Sequence, residues 1–159
     1  MSALADRLSE VHRRIDEACA KAGRHANSVE LIIVTKHHPT QLVLDLLDLG
    51  ESNFGENKDQ EAANKAFEVA QANISSKPVW HFVGQLQSNK VRSMLTYTSV
   101  LHSLDRRSLL NELAKHLAKE SSRKLQVFIE LNLTSDPGRG GVSPDGLLAF
   151  AEESAAASN

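Results

Sequence analysis

A lysine at the end of an apolar strand is the residue of this chain best suited to covalent chemistry. Lys36 follows Leu31-Ile32-Ile33-Val34-Thr35 and precedes His37, His38 and Pro39. An aliphatic run without polar alternation reads as a strand buried on both faces of a parallel sheet. In such sheets ligands gather at the C-terminal ends of the strands. Apolar walls beside the lysine stem would partly desolvate the amine. That would enlarge the neutral fraction that attacks an aldehyde to form a Schiff base. The plainer alternative is a solvated lysine at a strand end.

Polar residues recur at the ends of the other expected strands: Glu56-Asn57, Gln85 to Lys90, His102-Ser103 and Asn132. If the strands run parallel, these groups share one rim with Lys36. An amine, amides, an imidazole and hydroxyls suit a small polar ligand with a carbonyl and ring heteroatoms. Each also has a structural explanation. His81, between Trp80 and Phe82, suits a hydrogen-bonded core histidine, and Asn57 and Ser88 suit helix caps. His37-His38 have no further Cys or His at ligand spacing, so no metal site is expected. Arg139-Gly140-Gly141 offers backbone N–H groups to a phosphate but reads more simply as a flexible connection. No Gly-x-Gly-x-x-Gly, P-loop or Gly-x-Ser-x-Gly pattern occurs. Dinucleotide, nucleoside triphosphate and serine-hydrolase chemistry therefore have no support.

The elements that must position these residues follow one another regularly. Ser2 caps a first helix carrying Leu4, Leu8, Val11, Ile15, Ala18 and Ala22, and Gly23 ends it. The first strand is expected over 29–35. Pro39 starts the second helix in its first turn, and Gly50 ends it. A strand over 52–55 leads to an alanine-rich helix from Lys58 to about Asn73, broken by Ser75 to Pro78. A third strand spans 79–84, and Ser88 caps a short helix with Val91, Met94 and Leu95. A fourth strand spans 99–103, with Asp105 capping the helix of Leu109, Leu110, Leu113 and Leu117. The fifth strand, 125–133, is expected to be the longest. After the loop 134–142, Ser143 and Pro144 open a last helix.

This alternation implies a parallel sheet with right-handed crossovers. An open doubly wound sheet and a (β/α)₈ barrel both satisfy it, the latter needing eight strands and typically about 250 residues. The chain has 159 residues, 41% hydrophobic and 24% charged, which suits one globular domain. A formal net charge of -2 gives no electrostatic case for nucleic acid or an anionic membrane. The lone Cys19 has no internal disulfide partner and reads as a small core residue in a reducing, cytoplasmic setting. The N-terminus lacks the continuous apolar core of a signal peptide, and no apolar run approaches the ~20 residues of a membrane span.

Taken together, five motifs resemble the pyridoxal phosphate homeostasis proteins (the YggS/PROSC family). They are Ile33-Val34-Thr35-Lys36 with Pro39, Asn53-Phe54-Gly55-Glu56-Asn57 with Gln60-Glu61, and Trp80-His81-Phe82-Val83-Gly84-Gln85-Leu86-Gln87-Ser88-Asn89-Lys90. His102-Ser103-Leu104-Asp105-Arg106 and Glu130-Leu131-Asn132-Leu133 with Arg139-Gly140-Gly141 complete the set. The resemblance implies an α/β fold, a (β/α)₈ TIM barrel of the alanine racemase N-terminal-domain type. Here residues 1–159 would form a single incomplete barrel domain, a leading helix plus the first five strand–helix units. It also implies pyridoxal 5′-phosphate (PLP) held as a Schiff base on Lys36, with Asn57, His81, Ser88 and Asn132 as further cofactor-binding residues. The function implied is intracellular vitamin B6 homeostasis without catalytic turnover, with PLP-dependent apoenzymes as partners. A racemase- or decarboxylase-like enzyme, or a ligand-free truncated fragment, are the alternatives. No catalytic residue is assigned, because the second domain that supplies a racemase tyrosine is lacking.

The sequence departs from the family pattern at His38, where a second lysine is usual, and at Lys58, where a tyrosine is usual. The family is also longer, and its late phosphate-binding segment has no counterpart before Asn159. Family members are monomers, but an incomplete barrel is expected to leave its first and fifth strands as exposed edges, open to self-association.

Overall fold

The computed structural model describes residues 2–72, 76–120, 122–136 and 138–157. The chain forms two compact units, Met1–Ile32 and Ile33–Asn159. The first consists of α1 (Ala3–Lys21) and a 3-10 turn over Ala26–Ser28. The Ser2 hydroxyl accepts from the Ala5 N–H at 3.2 Å, capping α1. Gly23, with φ of 64°, ends it. The Gly23 and Arg24 N–H groups donate to the carbonyls of Ala20 and Cys19, the paired bonds of a Schellman end. Cys19 is buried, whereas Val11 of the expected apolar stripe is exposed.

The second unit contains β1 (Ile33–Val34), α2 (Thr40–Asp48), β2 (Asn53–Glu56), α3 (Asp59–Gln71), β3 (Val79–Phe82) and α4 (Val91–Met94). It continues with β4 (Thr98–Leu104), α5 (Arg107–Leu117), β5 (Gln126–Ile129) and α6 (Leu147–Ala156). All strand pairs are parallel, in the order β1-β2-β3-β4-β5. Neighbours in sequence are therefore neighbours in space. Consecutive helices also touch, α2 with α3, α3 with α4 and α4 with α5. This is the winding of a barrel wall. A doubly wound sheet reverses its strand order at a switch point and places helices on both faces.

The helix-covered side of the sheet holds the core. Phe82, Leu101 and Leu104 pack with Val91 and Met94 of α4, Leu109, Leu110 and Leu113 of α5, and Phe150 of α6. The other face is less covered. There Val34 is 45% exposed and Phe128 48% exposed. No helix among the described residues is long and apolar enough to cross a membrane.

Several local expectations need correction. Only Ile33–Val34 of the first strand joins the ladder, and it is not buried on both faces. It pairs with β2 alone. The longest strand is β4, with seven residues, against four in β5. Beyond the Glu130 N–H, which still donates to the Leu104 carbonyl at 3.0 Å, the backbone turns to its own loop instead. The Asn132 N–H donates to the Val142 carbonyl at 2.9 Å, and the Val142 N–H to the Glu130 carbonyl at 2.7 Å. Pro39 sits at the cap position of α2, just before its first turn. Asp105 does not cap α5: the cap position is Arg106, whose guanidinium takes the Asp105 carboxylate at 2.6 Å. Ser88 opens a 3-10 turn (Ser88–Lys90) instead of capping it, and its hydroxyl accepts from Arg106 Nη2 at 3.4 Å. Asn57 is not the cap of α3 either, since Lys58 occupies that position. Ser143 caps the 3-10 turn before α6, accepting from the Gly146 N–H. Asn73 and Ser75, expected at the end of the third helix and in the break after it, lie outside the described residues.

Leu101 is fully buried, whereas Phe67 on α3 is 66% exposed. Leu101→Ala is expected to cost about 2–5 kcal/mol in urea unfolding, and Phe67→Ala less than about 0.5 kcal/mol.

Candidate functional site

Lys36 leaves β1 in a tight turn. The His38 N–H donates to the Thr35 carbonyl at 3.1 Å, and His37 takes φ of 64°. Lys36 is then the second residue of a turn whose third has the left-handed conformation, a type II pattern that usually takes glycine or asparagine there. Lys36 is exposed, and no hydrogen bond or ion pair joins its amine to another described residue. The apolar strand walls expected beside its stem are not there, because β1 lies at the edge of the sheet.

Behind this exposed residue lies a buried polar cluster. Thr35 and Glu56 are almost wholly buried, and Lys65 of α3 is 4% exposed. Lys65 Nζ meets Glu56 Oε1 at 2.5 Å and donates to the Thr35 carbonyl at 2.9 Å. The Thr35 hydroxyl donates to the same Glu56 oxygen at 2.7 Å. One turn earlier on α3, Glu61 Oε1 accepts from the His37 N–H at 2.6 Å. The ends of β1 and β2 are thus tied to one helix. That helix is anchored at its start, where the half-buried Tyr97 hydroxyl donates to Asp59 Oδ1 at 3.2 Å. Burial and then the Asp59 charge push the Tyr97 phenol well above its ordinary range.

Parallel register pairs Val34 with Gly55 and Glu56 with Phe82. One step further this carries Asn57 beside Val83-Gly84, and it does so closely. A Cβ on Gly84 would lie 2.4 Å from the Asn57 carbonyl oxygen, so only glycine allows the approach. Asn57 Oδ1 is buried without a hydrogen-bond partner. An orphaned acceptor of this kind suits a ligand hydroxyl or a protonated ring nitrogen.

The other candidates are engaged. His81 is buried in a chain of polar side chains, its Nε2 3.0 Å from Asn53 Oδ1 and its Nδ1 3.0 Å from His102 Nε2. With an acceptor at Asn53, His81 Nε2–H donates there, and the direction of the bond between His81 Nδ1 and His102 Nε2 follows from the tautomer. The His102 ring stacks on Phe128 at 5.0 Å. His81 thus matches its structural alternative, a satisfied core histidine. Ser88 is held by Arg106. Asn132 closes its own loop, donating to the Arg139 carbonyl and accepting from the Thr134 N–H and hydroxyl. The glycines of that loop are explained by contact: a Cβ at Gly141 would strike the Asn132 nitrogen, and one at Gly140 the Gln85 amide. Lys36 and Asn57 remain the candidates with unused polar atoms. A separate cavity of about 530 Å³ lies between α5, α6 and β5, lined by residues such as Leu110, Leu113 and Val127, and includes none of the candidates. Among the described residues no cluster of three metal-ligating side chains occurs.

Sequence reasoning missed Lys65 and the role of Glu61. Their i,i+4 spacing was the available signal, but such pairs ordinarily lie on a solvated helix face.

The family profile described as alanine racemase, N-terminal domain, matches residues 8–159. The chain is 34% identical over 147 residues to a protein of Aquifex aeolicus named pyridoxal phosphate homeostasis protein, covering 92% of this chain and 62% of that one. A protein of the same name from Pseudomonas aeruginosa is 34% identical over 152 residues, covering 96% of this chain and 64% of the relative. The chain therefore spans a little under two thirds of the length of these relatives. Among solved structures, PipY of Synechococcus elongatus with PLP bound superimposes with a TM-score of 0.74 at 29% identity, covering 94% of this chain and 63% of PipY. PipY without PLP gives 0.73 at 30% identity, covering 89% and 64%.

The bond from the His37 N–H holds the Glu61 carboxyl below its ordinary value of 4.5, with the nearby Lys65 charge adding to the effect and burial opposing it. A lowered folded value contributes stability above the ordinary carboxylate range that is lost as pH falls through the lowered value. The melting temperature is therefore expected to drop between about pH 6 and about pH 3, and Glu61→Gln to shrink that drop. Gly84→Ala is expected to destabilise by about 2 kcal/mol or more in denaturant titration, because its Cβ meets backbone.

Proposed function

Because the chain belongs to the alanine racemase N-terminal domain family, we propose that it binds pyridoxal 5′-phosphate at the C-terminal rim of its strands, with Lys36 as the point of attachment. The observation that carries this reading is an exposed, unpartnered amine on a turn fixed from behind by the buried Lys65–Glu56 pair and by the half-buried Glu61. The ε-amine condenses with the cofactor aldehyde as a Schiff base, losing one water. When bound, the cofactor supplies an electron sink for carbanions. The orphaned Asn57 oxygen serves as an acceptor for a cofactor hydroxyl or ring N–H. His81, Ser88 and Asn132 support the rim through their neighbours, since their polar groups are already paired.

The biological role is that of a cytoplasmic PLP carrier in vitamin B6 homeostasis, without catalytic turnover of its own. The names of the relatives support the homeostasis role, and the PLP bound to PipY supports cofactor binding. PLP-dependent apoenzymes receive the cofactor from this chain. Its edge strands β1 and β5 are the surfaces through which the chain would self-associate.

Purified protein mixed with PLP, reduced with borohydride and digested for mass spectrometry is expected to carry the adduct on Lys36. Lys36→Ala should abolish it, and Asn57→Ala should weaken binding roughly threefold to tenfold. An adduct on other lysines with Lys36 unmodified would overturn the reading.

A further inference from the structure

The backbone on both sides of Lys36 is held by a single helix. On one side the Thr35 carbonyl receives Lys65 Nζ at 2.9 Å, and on the other the His37 N–H donates to Glu61 Oε1 at 2.6 Å. Both anchors belong to α3, and their own charges lie 3.6 Å apart. We propose that Glu61 and Lys65 are positioning residues, which fix the direction in which the Lys36 turn presents its amine.

Stability alone is a poor reason for this arrangement. The ion pair buried here is that of Lys65 with Glu56, and such a pair is commonly replaced by apolar residues at little cost or with a gain, because desolvation offsets the attraction. The left-handed backbone of a β-substituted residue such as His37 is itself unfavourable. Both unfavourable features converge on the two residues flanking Lys36, and neither touches its side chain. Their common product is a fixed turn under an otherwise free amine. Fixing the turn removes backbone freedom that would otherwise have to be lost when a ligand engages the amine. The positioning role rests on Lys36 being the attachment residue proposed above.

Two readouts test it in the full chain: hydrogen exchange of the His37 amide, and the rate of borohydride-trapped PLP adduct at Lys36. Glu61→Gln is expected to speed His37 exchange about tenfold, the loss of one charge-assisted hydrogen bond. It should slow adduct formation at Lys36 threefold or more, with circular dichroism unchanged. Lys65→Met should slow the adduct similarly and Lys65→Arg restore part of the rate. His37→Gly keeps the N–H and suits the left-handed turn, so it should react within twofold of wild type. Wild-type adduct at Lys36 with unaltered rates in folded Glu61→Gln and Lys65→Met would overturn the positioning role alone. Absence of any Lys36 adduct in wild type would overturn the attachment reading, and the positioning role with it.

Discussion

The ion pair between Lys65 and Glu56 is the constraint on which the site end of the sheet depends. Both charges are out of water, so each needs the other and needs the remaining hydrogen bonds around them. Thr35 supplies two, its hydroxyl to Glu56 and its carbonyl to Lys65. The bonds to Glu56 both fall on Oε1, leaving Oε2 buried without a partner, and with the Lys65 bond to the Thr35 carbonyl they tie the ends of β1 and β2 to α3. A strand of two residues could not fix its own end. Here a helix from the next strand–helix unit does so.

The same sheet treats its two faces differently. The helix side is apolar around Phe82, Leu101 and Leu104, where burial is complete and packing specific. The opposite face carries Asn53, His81 and His102 in a hydrogen-bonded chain ending on the Phe128 ring. The buried His81 is tolerated there because both of its ring nitrogens have a hydrogen-bond partner. This face also holds the exposed Val34 and Phe128, in keeping with strands that have a neighbour on one side only. Family membership gives the wall a context: relatives extend beyond the stretch that this chain matches.

Much of the fold was legible because local signals agreed. Ser2, Gly23, Gly50 and Ser143 mark element ends through side-chain or left-handed backbone requirements that depend on few neighbours. The failures share a cause. Asp105 and Ser88 have the right chemistry for caps, yet both were drawn to the Arg106 guanidinium, a partner distant from Ser88 in sequence. The fifth strand ended early because Val142 offered its carbonyl and N–H to the backbone around Leu131. In the candidate site, Lys36 and Asn57 could be picked out by residue type at strand ends. The engagement of His81 by Asn53 and His102 could not, since both partners come from other strands.

By itself the sequence determined the alternation of strands and helices, the caps that bound them and the lysine that follows the first strand. These follow from periodicity, backbone preference and side-chain chemistry, which act over a few residues. Only the tertiary structure decided that the sheet winds in one direction, that β1 is an exposed edge and that Glu61 and Lys65 turn inward. The reason is that burial is a property of the assembled chain. An i,i+4 acid–lysine pair reads the same on a solvated helix and on one whose inner face closes over the end of a neighbouring strand.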